Sequence, residues 1–110
     1  MNTYKGGESM KSVYLVLFHW GYDGDNGVEY YLFSNYSSAY DKFNELIQEE
    51  INNQWVGNYL TENRTPLEGY ELDTIIQTEE DESDLWWNFY EIGRGSENFT
   101  NIDLKKVEVN

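Results

Sequence analysis

The chain has 110 residues, 39% of them hydrophobic and 17% aromatic, and its 21 acids against 7 bases give a net charge of −14. That length makes one domain with one modest core and little room for a deep substrate cavity, and the aromatic content separates it from disordered acidic chains, which are poor in such residues. The charge repels nucleic acid and anionic membranes. There is no cysteine for a disulfide or a thiolate metal site, and no run approaches the roughly 20 apolar residues of a membrane span.

Residues 1–11 read as a flexible tail and 12–110 as a single domain. The opening MNTYKGGES lacks a basic stretch followed by an apolar core, so a secretory leader is not expected and a cytoplasmic location is. On that expectation the sequons at Asn35, Asn63 and Asn98 are chance occurrences.

Ser12 to Trp20 is a dense β-branched and aromatic run. Val13, Leu15 and Leu17 fall on one face, and Tyr14, Val16, Phe18 and Trp20 on the other, which predicts a central strand covered on both sides. Gly21 to Gly27 is turn chemistry, with Asn26-Gly27 as the hairpin signal, and Val28 to Ser34 returns as the second strand. A helix is predicted from Ser38, with Asp41 completing a capping box. Tyr40, Phe43, Ile47 and Ile51, with Ala39 and Leu46 alongside, form its apolar stripe. Asp41, Glu45, Gln48, Glu49 and Asn52 form its wet side. The helix is expected to stop near Asn53 to Trp55, before Gly57.

Asn58 to Gly69 is a polar loop around Pro66, the only proline. Tyr70 to Thr78 alternates as a strand with one wetter face. Glu79 to Asp84 is a charge run expected as a loop, Leu85 to Ile92 an aromatic strand, and Gly93 to Asn98 a turn. Ile102 to Val109 closes the chain as a strand whose apolar phase shifts across Lys105-Lys106, predicting a bulge or an edge position. The expected class is therefore α+β: an antiparallel sheet of about five strands, ordered ββαβββ along the chain, with one main helix on a face.

Catalytic patterns are absent. A single histidine, His19, lies inside the first strand and reads as a partly buried structural residue. No serine sits in a Gly-x-Ser-x-Gly turn. Gly93-Arg94-Gly95-Ser96 has no helix after it to complete a phosphate cradle. Counted from Asp23 as a calcium loop, position 5 is Gly27, position 6 is Val28 and position 12 is Ser34, so the match fails after two ligands. Carboxylate pairs of the glycosidase kind are trivial to find among so many acids. No catalytic residue, metal site or cofactor is assigned, and a binding protein is expected rather than an enzyme.

Between Thr65 and Gly93 there are nine acids and no base. Glu71 and Asp73 alternate on a strand, about 6.6 Å apart. Glu79, Glu80, Asp81, Glu82 and Asp84 follow as a run. Asp41, Glu45 and Glu49 repeat along the helix about 6 Å apart. Phosphates of one DNA strand rise about 3.4 Å per nucleotide, so carboxylates held at these spacings imitate a phosphate track.

In size, acidity, tyrosine and asparagine richness and α+β pattern, the whole chain resembles the small acidic DNA-mimic inhibitors of phages and mobile elements, the anti-CRISPR and antirestriction proteins. The resemblance rests on general character rather than on a motif, so no residue roles carry over. It implies a basic nucleic-acid-binding protein as partner, such as a CRISPR effector nuclease in which a few arginines read DNA, with neither nucleic acid nor membrane bound directly. The competing expectation is an interaction or immunity-type module that binds a protein through exposed aromatics such as Trp86 and Trp87.

Overall fold

The computed structural model describes residues 11–53, 55–77, 84–93 and 98–109. Five strands and one long helix follow the predicted order: β1 (Lys11–Tyr22), β2 (Asp25–Phe33), α1 (Tyr36–Asn53), a 3₁₀ turn (Trp55–Tyr59), β3 (Tyr70–Ile75), β4 (Leu85–Glu91) and β5 (Phe99–Val109). The strands form one antiparallel sheet in the spatial order β2-β1-β5-β4-β3.

The β1–β2 hairpin turns at Asp23-Gly24, not at Asn26-Gly27. Tyr22 pairs with Asp25, which leaves two residues in the loop. Both have positive φ, 52° and 91°, the backbone that matches the right-handed twist of paired strands. Asn26 and Gly27 lie inside β2, where the Trp20 ring packs over Gly27 so closely that an added Cβ would stand 2.5 Å from it.

The helix begins at Tyr36, two residues before the predicted start. Asn35 is its cap, accepting the Ser38 N–H on Oδ1 at 2.8 Å. The earlier start lets the Tyr36 ring meet Tyr14 edge-on at 5.7 Å. Ala39, Phe43, Leu46 and Ile47 are buried, with Tyr40 and Ile51 packed at the margin. They meet Tyr14, Val16, Leu85, Trp87, Phe89, Ile102 and Leu104 of the sheet, and Val56 closes the end of the core.

Every sheet residue in that core belongs to the same alternation. Among the described residues, the helix covers this face of β1 and not the other. Val13, Leu15 and Leu17 point the other way and are half-buried; among the described residues no helix packs on that face, where cover was also expected.

β5 also differs from its prediction. It starts at Phe99, runs in unbroken register from Gly21↔Phe99 to Lys11↔Val109, and lies at the middle of the sheet rather than at an edge. Ile102, Leu104 and Lys106 share the helix face, and Asp103, Lys105 and Val107 share the other. The phase shifts only in sequence, because both faces carry apolar residues. Among the described residues no helix is long and apolar enough to cross a membrane.

Candidate binding face

The register sets out the residues of the uncovered face in rows. Tyr30, Leu17, Asp103, Trp86 and Ile75 lie side by side across the five strands. The next row is Val28, His19, Asn101, Asn88 and Asp73. The third is Asn26, Gly21, Phe99, Tyr90 and Glu71. At the other end, Leu32 stands beside Leu15 and Lys105.

This face is not uniform. Along β2 it is apolar and wet at once: Tyr30 is 66% exposed, Leu32 67% and Val28 47%. With Leu15, Leu17 and Val13 beside them, these side chains form a continuous apolar strip at one edge of the sheet. Along β3 the same face is acidic, with Glu71 and Asp73 exposed. Charge on an edge strand also discourages sheet-to-sheet pairing.

The predicted acids divide between two layers. Glu71 and Asp73 are on the uncovered face, and Asp84, exposed just before β4, is close enough to Asp103 to raise its pKa. The Asp103 carboxyl is raised chiefly by burial; Lys105 and His19 act in the opposite direction. Asp41, Glu45 and Glu49 are exposed on the outer side of α1, across the sheet from the others. Around them, Lys42 pairs with Glu45 at 3.4 Å and stands 4.4 Å from the centre of the Tyr31 ring. The Tyr31 hydroxyl donates to Glu29. That bond is the main reason its pKa is pushed up to about 12, with Glu49 and Glu45 adding to it. Glu79, Glu80, Asp81 and Glu82 lie outside the described residues.

The strand aromatics, read from the sequence as mostly core, divide between the two faces, and of the two tryptophans that the competing reading took as exposed one is core. Trp87 is 2% exposed and belongs to the core, stacked against Phe89 at 6.2 Å. Trp86, one residue away, has the opposite phase and is half-buried on the uncovered face. His19 is exposed on that face rather than partly buried. Its ring packs edge-on against Phe99 at 4.9 Å.

Sequence reasoning missed three parts of this surface. One is the β2 strip, whose signal was the period-two spacing of Val28, Tyr30 and Leu32 facing away from Tyr31 and Phe33. Another is Asp103. The third is a cavity of about 250 Å³ lined by His19, Asn88, Tyr90, Phe99 and Asn101. The Asn88 Oδ1 is itself shut off from solvent and has no hydrogen-bond partner, a state that costs about 1–3 kcal/mol in a folded protein. Nothing in the sequence marks an asparagine as such. The Tyr90 hydroxyl beside it donates to Glu71 at 2.6 Å.

Gly21 shapes the same spot. A Cβ there would stand 2.6 Å from Phe99 Cε1, so the ring rests on the glycine backbone. Among the described residues no group of three or more His, Asp or Glu is placed to hold a metal ion. No protein-family model matches the chain, and no curated protein or solved structure matches it either.

Proposed function

We propose that this protein is a non-enzymatic inhibitor that docks through the uncovered face of its sheet onto a basic, nucleic-acid-binding protein and blocks the site that DNA would use. The observation that carries the reading is the presence on one face of an exposed apolar strip, Val28, Tyr30 and Leu32, and of the carboxylates Glu71, Asp73, Asp84 and Asp103. The apolar strip supplies burial on contact. The carboxylates pair with lysine and arginine, in bidentate geometry where the partner offers a guanidinium.

The helix acids Asp41, Glu45 and Glu49 face away from this surface. Their part is to add to the long-range field that steers a basic partner inward, not to touch it. A host defence nuclease of the CRISPR-effector kind is the partner class that the resemblance to acidic phage inhibitors implies.

The test is binding to such a nuclease, measured at low and high salt with DNA as competitor. The double substitution Asp73→Lys and Asp84→Lys is expected to weaken binding at least tenfold and to flatten its salt dependence. Binding that these substitutions leave intact refutes the electrostatic part. The second reading, an interaction module of another kind, is favoured by the exposure of Tyr30 and Leu32. It predicts a contact that resists salt and is lost in Tyr30→Ser with Leu32→Ser.

A further inference from the structure

We propose that two copies of this chain pair edge to edge through β2, antiparallel about a two-fold axis at Tyr30, to form one continuous sheet with five strands from each copy. This goes beyond the docking reading above: pairing uses the edge of the sheet and leaves its uncovered face open. The two edges are guarded differently. β3 is six residues long and carries Glu71 and Asp73, and shortness and charge keep an edge from pairing. β2 is nine residues long, holds no proline or lysine, and runs beside β1 without a bulge from Tyr14↔Phe33 to Tyr22↔Asp25. Its only charges are Asp25 at the turn and Glu29. The hairpin closes on Tyr22 and Asp25, so the odd-numbered residues of β2 bond to β1, and the N–H and C=O groups of Asn26, Val28, Tyr30 and Leu32 point outward. Among the described residues no strand pairs with that side.

The register selects a second copy as the occupant. With Tyr30 opposite Tyr30 of that copy, Val28 stands opposite Leu32, Glu29 opposite Tyr31 and Gly27 opposite Phe33, each pair occurring twice, as a two-fold interface requires. Outward-pointing residues then meet outward-pointing residues, so the open backbone groups of both edges bond to each other. On the uncovered face the exposed Val28, Tyr30 and Leu32 meet apolar counterparts across the seam. On the helix face the charges fit. Lys42, also paired with Glu45, stands 4.4 Å from the centre of the Tyr31 ring, so the Glu29 brought opposite Tyr31 comes beside a cation. Moving the axis to Glu29 sets the two Glu29 carboxylates directly opposite each other, which is destabilising. Moving it to Tyr31 shortens the ladder and leaves Val28 without a partner inside β2.

The test is sedimentation equilibrium of the full chain from micromolar to millimolar concentration, with amide hydrogen exchange followed over the same range. The mass is expected to rise from 13.0 kDa toward twice that value. The rise comes at lower concentration in high salt, which screens the −14 charge of each copy. As the mass rises, the Val28, Tyr30 and Leu32 amides exchange about tenfold more slowly. Tyr30→Lys, a change at an exposed position, sets two cations opposite each other and holds the chain monomeric with an unchanged circular dichroism spectrum. Asp73→Lys, on the other edge, leaves mass and protection as they were. A mass that stays at that of one chain at millimolar concentration overturns the proposal. So does a dimer whose β2 amides stay unprotected, because its copies pack face to face, and so does a dimer that survives in folded Tyr30→Lys.

Discussion

Glu50 is a carboxylate on the wrong side of its helix. It is 6% exposed among the core residues of α1, and the Thr100 hydroxyl donates to its Oε1 at 3.3 Å. Burial is the largest influence on it and raises its pKa from 4.5 to about 7; the Thr100 bond works against the rise and the charge of Glu49 adds to it. The folded state therefore holds a proton that the unfolded chain has already released between those two values. Stability contributed by this group is complete below about 4.5, falls as pH rises through that window, and is gone above about 7. At about 1.4 kcal/mol per pH unit the gap corresponds to about 3 kcal/mol.

Glu50→Gln keeps an oxygen for Thr100 and removes the charge. Urea unfolding of both proteins from about pH 4 to about pH 8 isolates the effect, since the remaining carboxylates contribute alike to each. The two are expected to be nearly equal at the acidic end. At the alkaline end the variant is more stable by about 3 kcal/mol, a midpoint shift of about 1–3 M urea. Parallel pH profiles, or a variant that is less stable at high pH, would refute the reasoning that Glu50 is held protonated by burial.

Asn35→Ala removes the acceptor of the Ser38 N–H and is expected to cost about 1 kcal/mol, read as a lower midpoint in thermal unfolding. Gly21→Ala drives a Cβ against the Phe99 ring; a loss of about 1–3 kcal/mol is expected, together with displaced His19 and Phe99 ring resonances, and unchanged ring shifts would contradict the packing described. Phe43→Ala, at the centre of the helix–sheet core with no exposed surface, should cost about 3–5 kcal/mol in the same unfolding assay.

The elements were legible because their periods are distinct. Tyr40, Phe43, Ile47 and Ile51 repeat at helical spacing, and the dense runs around Val16 and Trp87 admit only strands. Errors arose where two signals competed. Asn26-Gly27 and Asp23-Gly24 are both good turn dipeptides, and only the pairing of Tyr22 with Asp25 decides between them. Ser38 has the right neighbours for a cap, but Asn35 caps a helix long enough to bring Tyr36 onto Tyr14. Glu50 was unremarkable as one glutamate beside another; its burial follows from the helix phase relative to the sheet.

The candidate site was less legible than the fold. Acidity belongs to composition, and the exposure of Glu71, Asp73, Asp84, Asp41, Glu45 and Glu49 follows from alternation and helical phase. That these acids divide between opposite layers does not. What the sequence by itself determined is the set of strands and the helix, because period and turn chemistry act over a few neighbouring residues. What only the tertiary structure decided is that the two terminal strands meet at the centre of the sheet, that one helix covers one face, and that His19, Asn88 and Phe99 come together on the other. Those outcomes depend on hydrogen bonding and burial between residues as much as 98 positions apart, such as Lys11 and Val109, and no local pattern encodes that.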